Sequence, residues 1–319
     1  MTDLREGYAV SVLPESGWDA RLAGARETLP FARTHWLALG LKGSPGLRFS
    51  PTVVEWGRSG ELLLPLCVSG TRAQIGCYGY GSVAVSADWR GALPDFADLA
   101  EAVCRERELT ELTTLLPPAE AFPGPEPTAH WTTRPGRDTY LLDLTPGVDA
   151  LWRAARGRCR TAVRRAEALG LVAAAAEPGH GTELARLYGQ TLGRHGIGTA
   201  LAATDVEFLT RGGDTLTTVV SDRDGVQAAS VFAVGGRAAF HLMQLTSERG
   251  RAANAGHLAF WTAVAELARR GTGTADLGAA AGEGQAGFKT GWGASAAAAR
   301  TVRWPHGTQR TGEGQEEAR

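Results

Sequence analysis

The sequence predicts an α+β fold in two domains, and three observations carry that expectation. Hairpin-linked strands recur in both halves, helical stretches accompany them in both, and the segment 117–137 between the halves holds six prolines. A chain of 319 residues is long for one core and comfortable for two.

In the first half, residues 17–41 read as one helix with an aromatic middle of Phe31, His35 and Trp36. Thr52–Trp56 and Glu61–Val68 are β-branched and leucine-rich runs joined by Gly57-Arg58-Ser59-Gly60, a hairpin signal. A glycine–tyrosine loop, 76–81, leads to a helix over 95–108 and a strand at Glu111–Leu116. The proline-rich segment then breaks regular structure.

The second half opens with a strand at Tyr140–Leu144 and a helix over 147–169 that stops at Gly170. Strand Leu171–Ala176 and helices near 181–194 and 204–211 follow. Three strands (Thr215–Ser221, Val226–Val234 and Arg237–Thr246) are linked by tight turns at 222–225 and at Gly235-Gly236. A helix from an Asn254 N-cap to Arg270, a short strand Thr274–Leu277, a glycine-rich loop and a strand Arg300–Trp304 complete it. The expected division is 1–138, 139–305 and a polar, disordered tail at 306–319.

Hydrophobic residues at 43% and charged residues at 21% describe a soluble protein. The net charge of −1 is uninformative as a total. Its distribution is not: residues 1–140 carry 13 Lys/Arg against 17 Asp/Glu, and residues 141–310 carry 19 against 14. That bias suits a phosphate or an RNA end and falls short of a general nucleic-acid binder. Cys67, Cys77, Cys104 and Cys159 show no metal-ligand spacing and read as reduced thiols of a cytoplasmic protein. The stretch MTDLREGYAV has no basic segment before an apolar core, so no signal peptide is expected, nor any membrane span.

Gly282-Glu283-Gly284-Gln285-Ala286-Gly287 is a literal GxGxxG, but the chain beyond it offers neither a helix nor a second parallel strand for a dinucleotide fold. No GxSxG or Walker lysine occurs, and His195 and His241 stand in no metal spacing, so no metal is expected.

Three segments carry candidate chemistry. Residues 153–165 hold six arginines and no acid, an uncompensated cationic helix suited to phosphate; a solvated helix face is the plain alternative. The loop 247–257 joins a strand to a helix N-terminus, where free N–H groups, Arg249, Arg251, Asn254 and Gly256 would seat a phosphate-bearing donor; an exposed loop is equally consistent. The last runs from Asp276-Leu277-Gly278 to Gly293. Only Lys42 and Lys289 are lysines among 33 basic residues, and Lys289 stands between Phe288 and several glycines, with Trp292 close by. A compact ammonium there is a different chemical object from an arginine fork.

Taken in this order, these residues resemble the FemABX-like branch of the GNAT acyltransferase superfamily. Arg158, Arg160, Arg164-Arg165-Ala166-Glu167 and Gly170 resemble its basic helix, and Tyr188 with Arg194-His195-Gly196-Ile197 its "Y…RHGI" segment. Asp276-Leu277-Gly278 with Phe288-Lys289-x-x-Trp292-Gly293 is similar to its "DLG…FKxx[FW]G". Pro30-Phe31, His35-Trp36 and Gly79-Tyr80-Gly81 resemble parts of its first domain.

The resemblance implies two tandem GNAT-like domains with mixed, mostly antiparallel sheets and flanking helices. It also implies transfer of an aminoacyl group from the 3′ end of charged tRNA to a small-molecule or peptide amine, with no tightly bound cofactor. By the same resemblance Lys289 sits at the donor ester, and Arg165 contacts phosphates of a nucleotide-linked acceptor. Its neighbour Arg164 and Phe288, Trp292, Tyr80 and Trp36 are further substrate-binding candidates. His241 and Asp276 are the titratable candidates for the proton. Two departures bear on this. Phe240-His241-Leu242 stands where relatives that act on cell-wall precursors tend to carry tyrosines, and no long helical arm is visible. An acyl-CoA donor at the 249–257 loop is the competing reading, although that loop lacks a clean [RQ]xxGx[GA] pattern. A non-catalytic binding module is the third.

Overall fold

The computed structural model describes residues 8–27, 29–58, 60–87, 96–118, 132–194, 196, 202–211 and 213–305. His195, Ile197, most of the proline-rich segment and the expected tail lie outside them. The chain forms two compact units, one from residues 1–136 with 300–319 and one from 137–299. Residues 300–305, expected with the second domain, therefore count with the first.

The first unit comprises β1 (Tyr8–Val12), α1 (Trp18–Ala23), β2 (Ala25–Glu27), α2 (Thr34–Lys42), β3 (Arg48–Trp56), β4 (Gly60–Ser69), β5 (Arg72–Ile75), β6 (Ala84–Ser86), α3 (Phe96–Glu106) and β7 (Glu111–Leu116). Its sheet runs β1-β3-β4-β5-β7 and then residues 300–305, with β5–β7 parallel. The hairpin expected at 52–68 is present with Trp56 opposite Gly60. Period-2 alternation divides its side chains between faces. Val54, Leu62, Leu64 and Leu66 pack with Leu99 and Val103 of α3, while Val53 and Leu63 pack with Trp18 and Leu22 of α1. The single helix expected over 17–41 is broken. Gly24 ends α1, and Pro30 holds Leu29 extended (φ −143°, ψ 161°) before one 3₁₀ turn and α2.

The second unit contains β8 (Thr132–Asp143), α4 (Val148–Ala154), α5 (Gly157–Ala168), β9 (Val172–Ala175), α6 (Gly181–Arg194), α7 (Ala203–Val206), β10 (Thr215–Asp222), β11 (Gly225–Gly235), β12 (Ala238–Thr246), α8 (Glu248–Ala252), α9 (Ala255–Arg269), β13 (Thr274–Asp276), α10 (Glu283–Gly291) and β14 (Ser295–Pro305). The first of these strands and the last also reach into the first unit's residue ranges. The sheet order is β8-β13-β12-β11-β10-β9, antiparallel except at β12–β13, where α9 makes the crossover a parallel pair requires. One stripe of α9 (Ala259, Phe260, Ala263, Val264 and Leu267) is buried with Val220, Ala228 and Phe232 of the sheet.

Four expectations are corrected here. β8 begins at Thr132, earlier than Tyr140. The helix over 147–169 is two helices, because Ala155 and Arg156 turn extended (ψ 142° and 145°) and the Arg156 N–H bonds Gly291 O at 2.8 Å. Asn254 precedes α9 in a left-handed conformation (φ 60°) and makes no side-chain cap; Ser247 caps α8 instead, its oxygen accepting from the Gly250 N–H at 2.8 Å. The glycine-rich loop is helix α10, which puts Gly284 and Gly287 of the GxGxxG inside a helix rather than in a phosphate-binding turn.

Candidate active site

Lys289 lies on α10 and is only 7% exposed. The helix forms despite its glycines because two of them admit α5. A Cβ at Gly291 would stand 2.8 Å from Cys159 Sγ, and one at Gly287 3.3 Å from the Arg158 guanidinium. Arg158 donates to Gly287 O at 2.6 Å, tying the two helices together.

This docking aims the Lys289 ammonium at the turn after β13. Nζ donates to Gly278 O and to Ala279 O, each at 2.7 Å, and lies 5.5 Å from the centre of the Tyr140 ring. Gly278 holds φ +72°, a conformation suited to glycine, and a Cβ there would come within 3.9 Å of Nζ. Burial pulls the lysine down to about 8, an effect that the Asp276 carboxylate opposes. Asp276 is 2% exposed, and its Oδ1 accepts from Thr139 Oγ1 and from the Gly278 N–H at 2.7 Å. The carboxylate thus fixes the turn whose carbonyls hold the lysine.

Phe240 pairs with Asp276 across β12–β13, and the carbonyl of the next residue, His241, comes within 3.6 Å of a Cβ built at Gly278. The residue keeps partial exposure, yet its ring is flanked by Phe232 at 4.7 Å and Phe260 at 5.3 Å. Burial, with the nearby Lys289 ammonium, pushes it down to about 3. Its Nε2 lies 3.2 Å from Ser230 Oγ. Lys289 is thus close enough to both Asp276 and His241 to act on their charge, but His241 is a neutral imidazole of low basicity, poorly matched to taking a proton from an ammonium-forming amine.

The other candidates divide. Trp292 is 2% exposed and stacks on Trp261 (5.8 Å, interplanar 7°), which makes it part of the core. Phe288 is half-buried and packs on His257 at 5.1 Å. Within the first unit, Trp36 is fully buried and stacks on Tyr78 (5.7 Å, 11°), so it too is core rather than a wall open to ligand; Tyr80 is half-buried. Arg249 is committed to Asp222 and Asp224 of the β10–β11 turn. Arg251 is exposed beside Arg194. Gly256 fits where a Cβ would touch Thr246 at 3.0 Å.

The arginine-rich segment also divides. Arg160 folds onto the end of α4, donating to the carbonyls of Trp152, Arg153 (2.9 Å) and Ala155. Arg164 lies over the Trp152 ring at 5.7 Å, and both it and Arg165 are exposed. The sequence reading missed Tyr140, Thr139, Ser230 and His257. Tyr140 and Thr139 were visible only as strand residues, since their roles depend on β8 pairing with β13. His257 sits in the first turn of α9 with a buried Nδ1 that lacks a partner, beside Trp292 at 5.9 Å. A separate cleft of about 650 Å³ in the first unit, lined by Arg21, Glu55, Trp56 and Glu61, holds none of the predicted residues.

No family model matches the sequence, and no curated protein matches it. Solved structures do. FemX superposes with a TM-score of 0.62 at 12% identity, over 93% of this chain and 97% of its own. L-PGS from Bacillus licheniformis gives 0.54 at 13% identity, covering 88% and 94%. The C-terminal domain of a lysylphosphatidylglycerol synthetase candidate from Agrobacterium fabrum gives 0.54 at 15%, covering 77% and 81%. The chain shares the fold of FemX and of L-PGS.

Proposed function

We propose that the protein is an acyltransferase that moves an aminoacyl group from aminoacyl-tRNA to an amine, forming an amide. The observation that carries this reading is the Lys289 ammonium, buried and fixed by two carbonyl oxygens on one side of a glycine turn. Attack of an amine on the donor ester produces a tetrahedral oxyanion. A preorganised cation in a site shielded from water stabilises such a charge without reorganising during the step. Two of the three Nζ hydrogens are bonded to Gly278 and Ala279, which leaves one for the oxyanion. Collapse expels the tRNA hydroxyl, and the proton of the attacking amine passes to water or to the leaving oxygen, His241 being too weak a base to keep it.

The choice of donor rests on the turn after β12. The N–H groups of Gly250, Arg251, Ala253 and Asn254 are all bonded within that turn, and Arg249 is paired with two aspartates. Little of the loop is left to cradle a pyrophosphate. Exposed Arg164 and Arg165 on α5 offer a cationic surface better suited to a polynucleotide backbone. An acyl-CoA donor is the second reading, favoured by exposed Arg251 close to the N-terminus of α9. Turnover with charged tRNA against acyl-CoA, using a panel of small amines and amine-bearing peptides, separates the two. Product from acyl-CoA alone overturns the tRNA reading, and none from either donor overturns both.

A further inference from the structure

β8 meets the turn that holds the lysine with two consecutive residues. Leu141 pairs with Asp276 across β8–β13, so Thr139, two positions earlier, lies on the carboxylate's face of the sheet. Its hydroxyl donates to Asp276 Oδ1, the same oxygen that accepts from the Gly278 N–H at 2.7 Å. Thr139 is 1% exposed and Asp276 2%, so bulk water does not stand in for these bonds. The Tyr140 carbonyl accepts from the Leu277 N–H at 2.8 Å, and the Tyr140 ring centre stands 5.5 Å from Lys289 Nζ. Both residues converge on one turn, whose Gly278 and Ala279 carbonyls hold the ammonium.

We propose that Thr139 and Tyr140 are positioning residues that keep Lys289 charged and aimed, Thr139 through Asp276 and Tyr140 through the face of its ring. Their value to turnover rests on Lys289 serving as the cation of the transfer proposed above. From β13 the ammonium faces the Asp276 carboxylate, from β12 His241, which stays neutral above about 3, and from β8 the Tyr140 ring. Arg158 of α5 is bonded to Gly287 O, His257 of α9 lies against Phe288, and Glu283 is exposed in the first turn of α10. Asp276 is thus the opposite charge acting on a lysine that burial drives towards its neutral form. A buried carboxylate keeps its own charge only while hydrogen-bond donors replace its lost water. Without the Thr139 hydroxyl, Asp276 takes a proton more easily, and Lys289 loses the attraction that opposes its burial. The Tyr140 ring adds a second attraction, which needs the aromatic face and not the phenol hydroxyl.

Lys42 and Lys289 are the only lysines of the chain, so lysine labelled with carbon-13 at Cε gives two signals, assigned by Lys42→Arg. Their chemical shifts against pH read the Lys289 titration in the full chain with no substrate added. Thr139→Val and Tyr140→Leu should each lower its midpoint by roughly half a pH unit or more, while Thr139→Ser and Tyr140→Phe stay near wild type. The alkaline limb of kcat should move down with the midpoint, and the KM of the donor should stay within about twofold of wild type. Thr139→Ala replaces the valine variant if that one does not fold. A midpoint unmoved in either variant, or a Tyr140→Phe that behaves as Tyr140→Leu, overturns the proposal, even in an active enzyme. Lowered midpoints in a protein inactive with every donor support the hold on Lys289 and count against the transfer reading instead.

Discussion

Lys289 Nζ and Gly278 O are 2.7 Å apart, so the candidate catalytic cation is also a bolt between α10 and the turn after β13. Removing it has two consequences. Lys289→Ala is expected to lower kcat by roughly 10²-fold or more, the scale of a lost oxyanion donor. It should also cost stability, on the order of 1–3 kcal/mol, because two part-buried carbonyls lose hydrogen bonds to a charged donor. Lys289→Arg should recover little turnover, since a planar guanidinium does not fit beside Gly278. Steady-state kinetics with both donors, read together with thermal melts, check this. Turnover near wild type in both variants removes Lys289 from the mechanism.

The pH dependence follows from the same burial. Lys289 titrates at about 8 in the folded chain and near 10.5 when unfolded, so between those values the unfolded state binds more protons. Unfolding free energy should rise across that window, and this slope should vanish in Lys289→Met. Activity should move the other way, falling as pH climbs through 8 and the ammonium is lost. His241 takes its proton near 6.5 only when unfolded, and near 3 when folded. Its contribution to stability is full above 6.5 and is lost as pH falls towards 3, so His241→Gln should flatten the acid side of the stability curve. Denaturant midpoints at stepped pH measure both slopes.

Strands and hairpins were legible in the sequence because alternation and turn chemistry are local signals: β7 and α6 lie where expected, and β10–β12 differ only at their ends. Lys289, Asp276 and His241 could be picked out as spaced residues, but not the turn at Gly278 that relates them. What failed is tertiary in origin. Helix α10 is unreadable from its own residues, since three glycines in nine positions oppose a helix. The approach of Arg158 and Cys159 explains two of them, Gly287 and Gly291. Trp36 and Trp292 looked like ligand walls because nothing local distinguishes an aromatic that stacks on a core neighbour from one that faces a substrate.

The arginines of α5 should separate by function. Arg160 satisfies three carbonyls at the end of α4, so Arg160→Ala is expected to lower the melting temperature by several degrees whatever the ligand. Arg165 is exposed, and no acidic residue accompanies it within 153–165. Arg165→Ala should leave the melting temperature within about 1 °C of wild type, a surface change worth little. It should raise the apparent KM for the phosphate-bearing substrate, more so at low salt. An unchanged KM with a large stability loss would instead make Arg165 structural.

The glycines of α10 offer a test of the helix itself that does not depend on substrate. Nothing lies within 4 Å of a Cβ built at Gly284, and the position is exposed in the first turns of the helix. Gly284→Ala should therefore stabilise the chain by up to about 1 kcal/mol, the helix-propensity difference between the two residues. Gly291→Ala places the same methyl 2.8 Å from Cys159 Sγ, in a buried contact between α10 and α5. Overpacking of this kind costs roughly 1–3 kcal/mol. It should also lower turnover, because α10 can relieve the contact only by shifting the helix that carries Lys289. Cys159→Ala, by removing the opposing sulfur, should restore part of both losses in the double variant. If Gly291→Ala is as stable and as active as wild type, α10 does not dock on α5 as the contacts require, and the position of Lys289 would need another explanation.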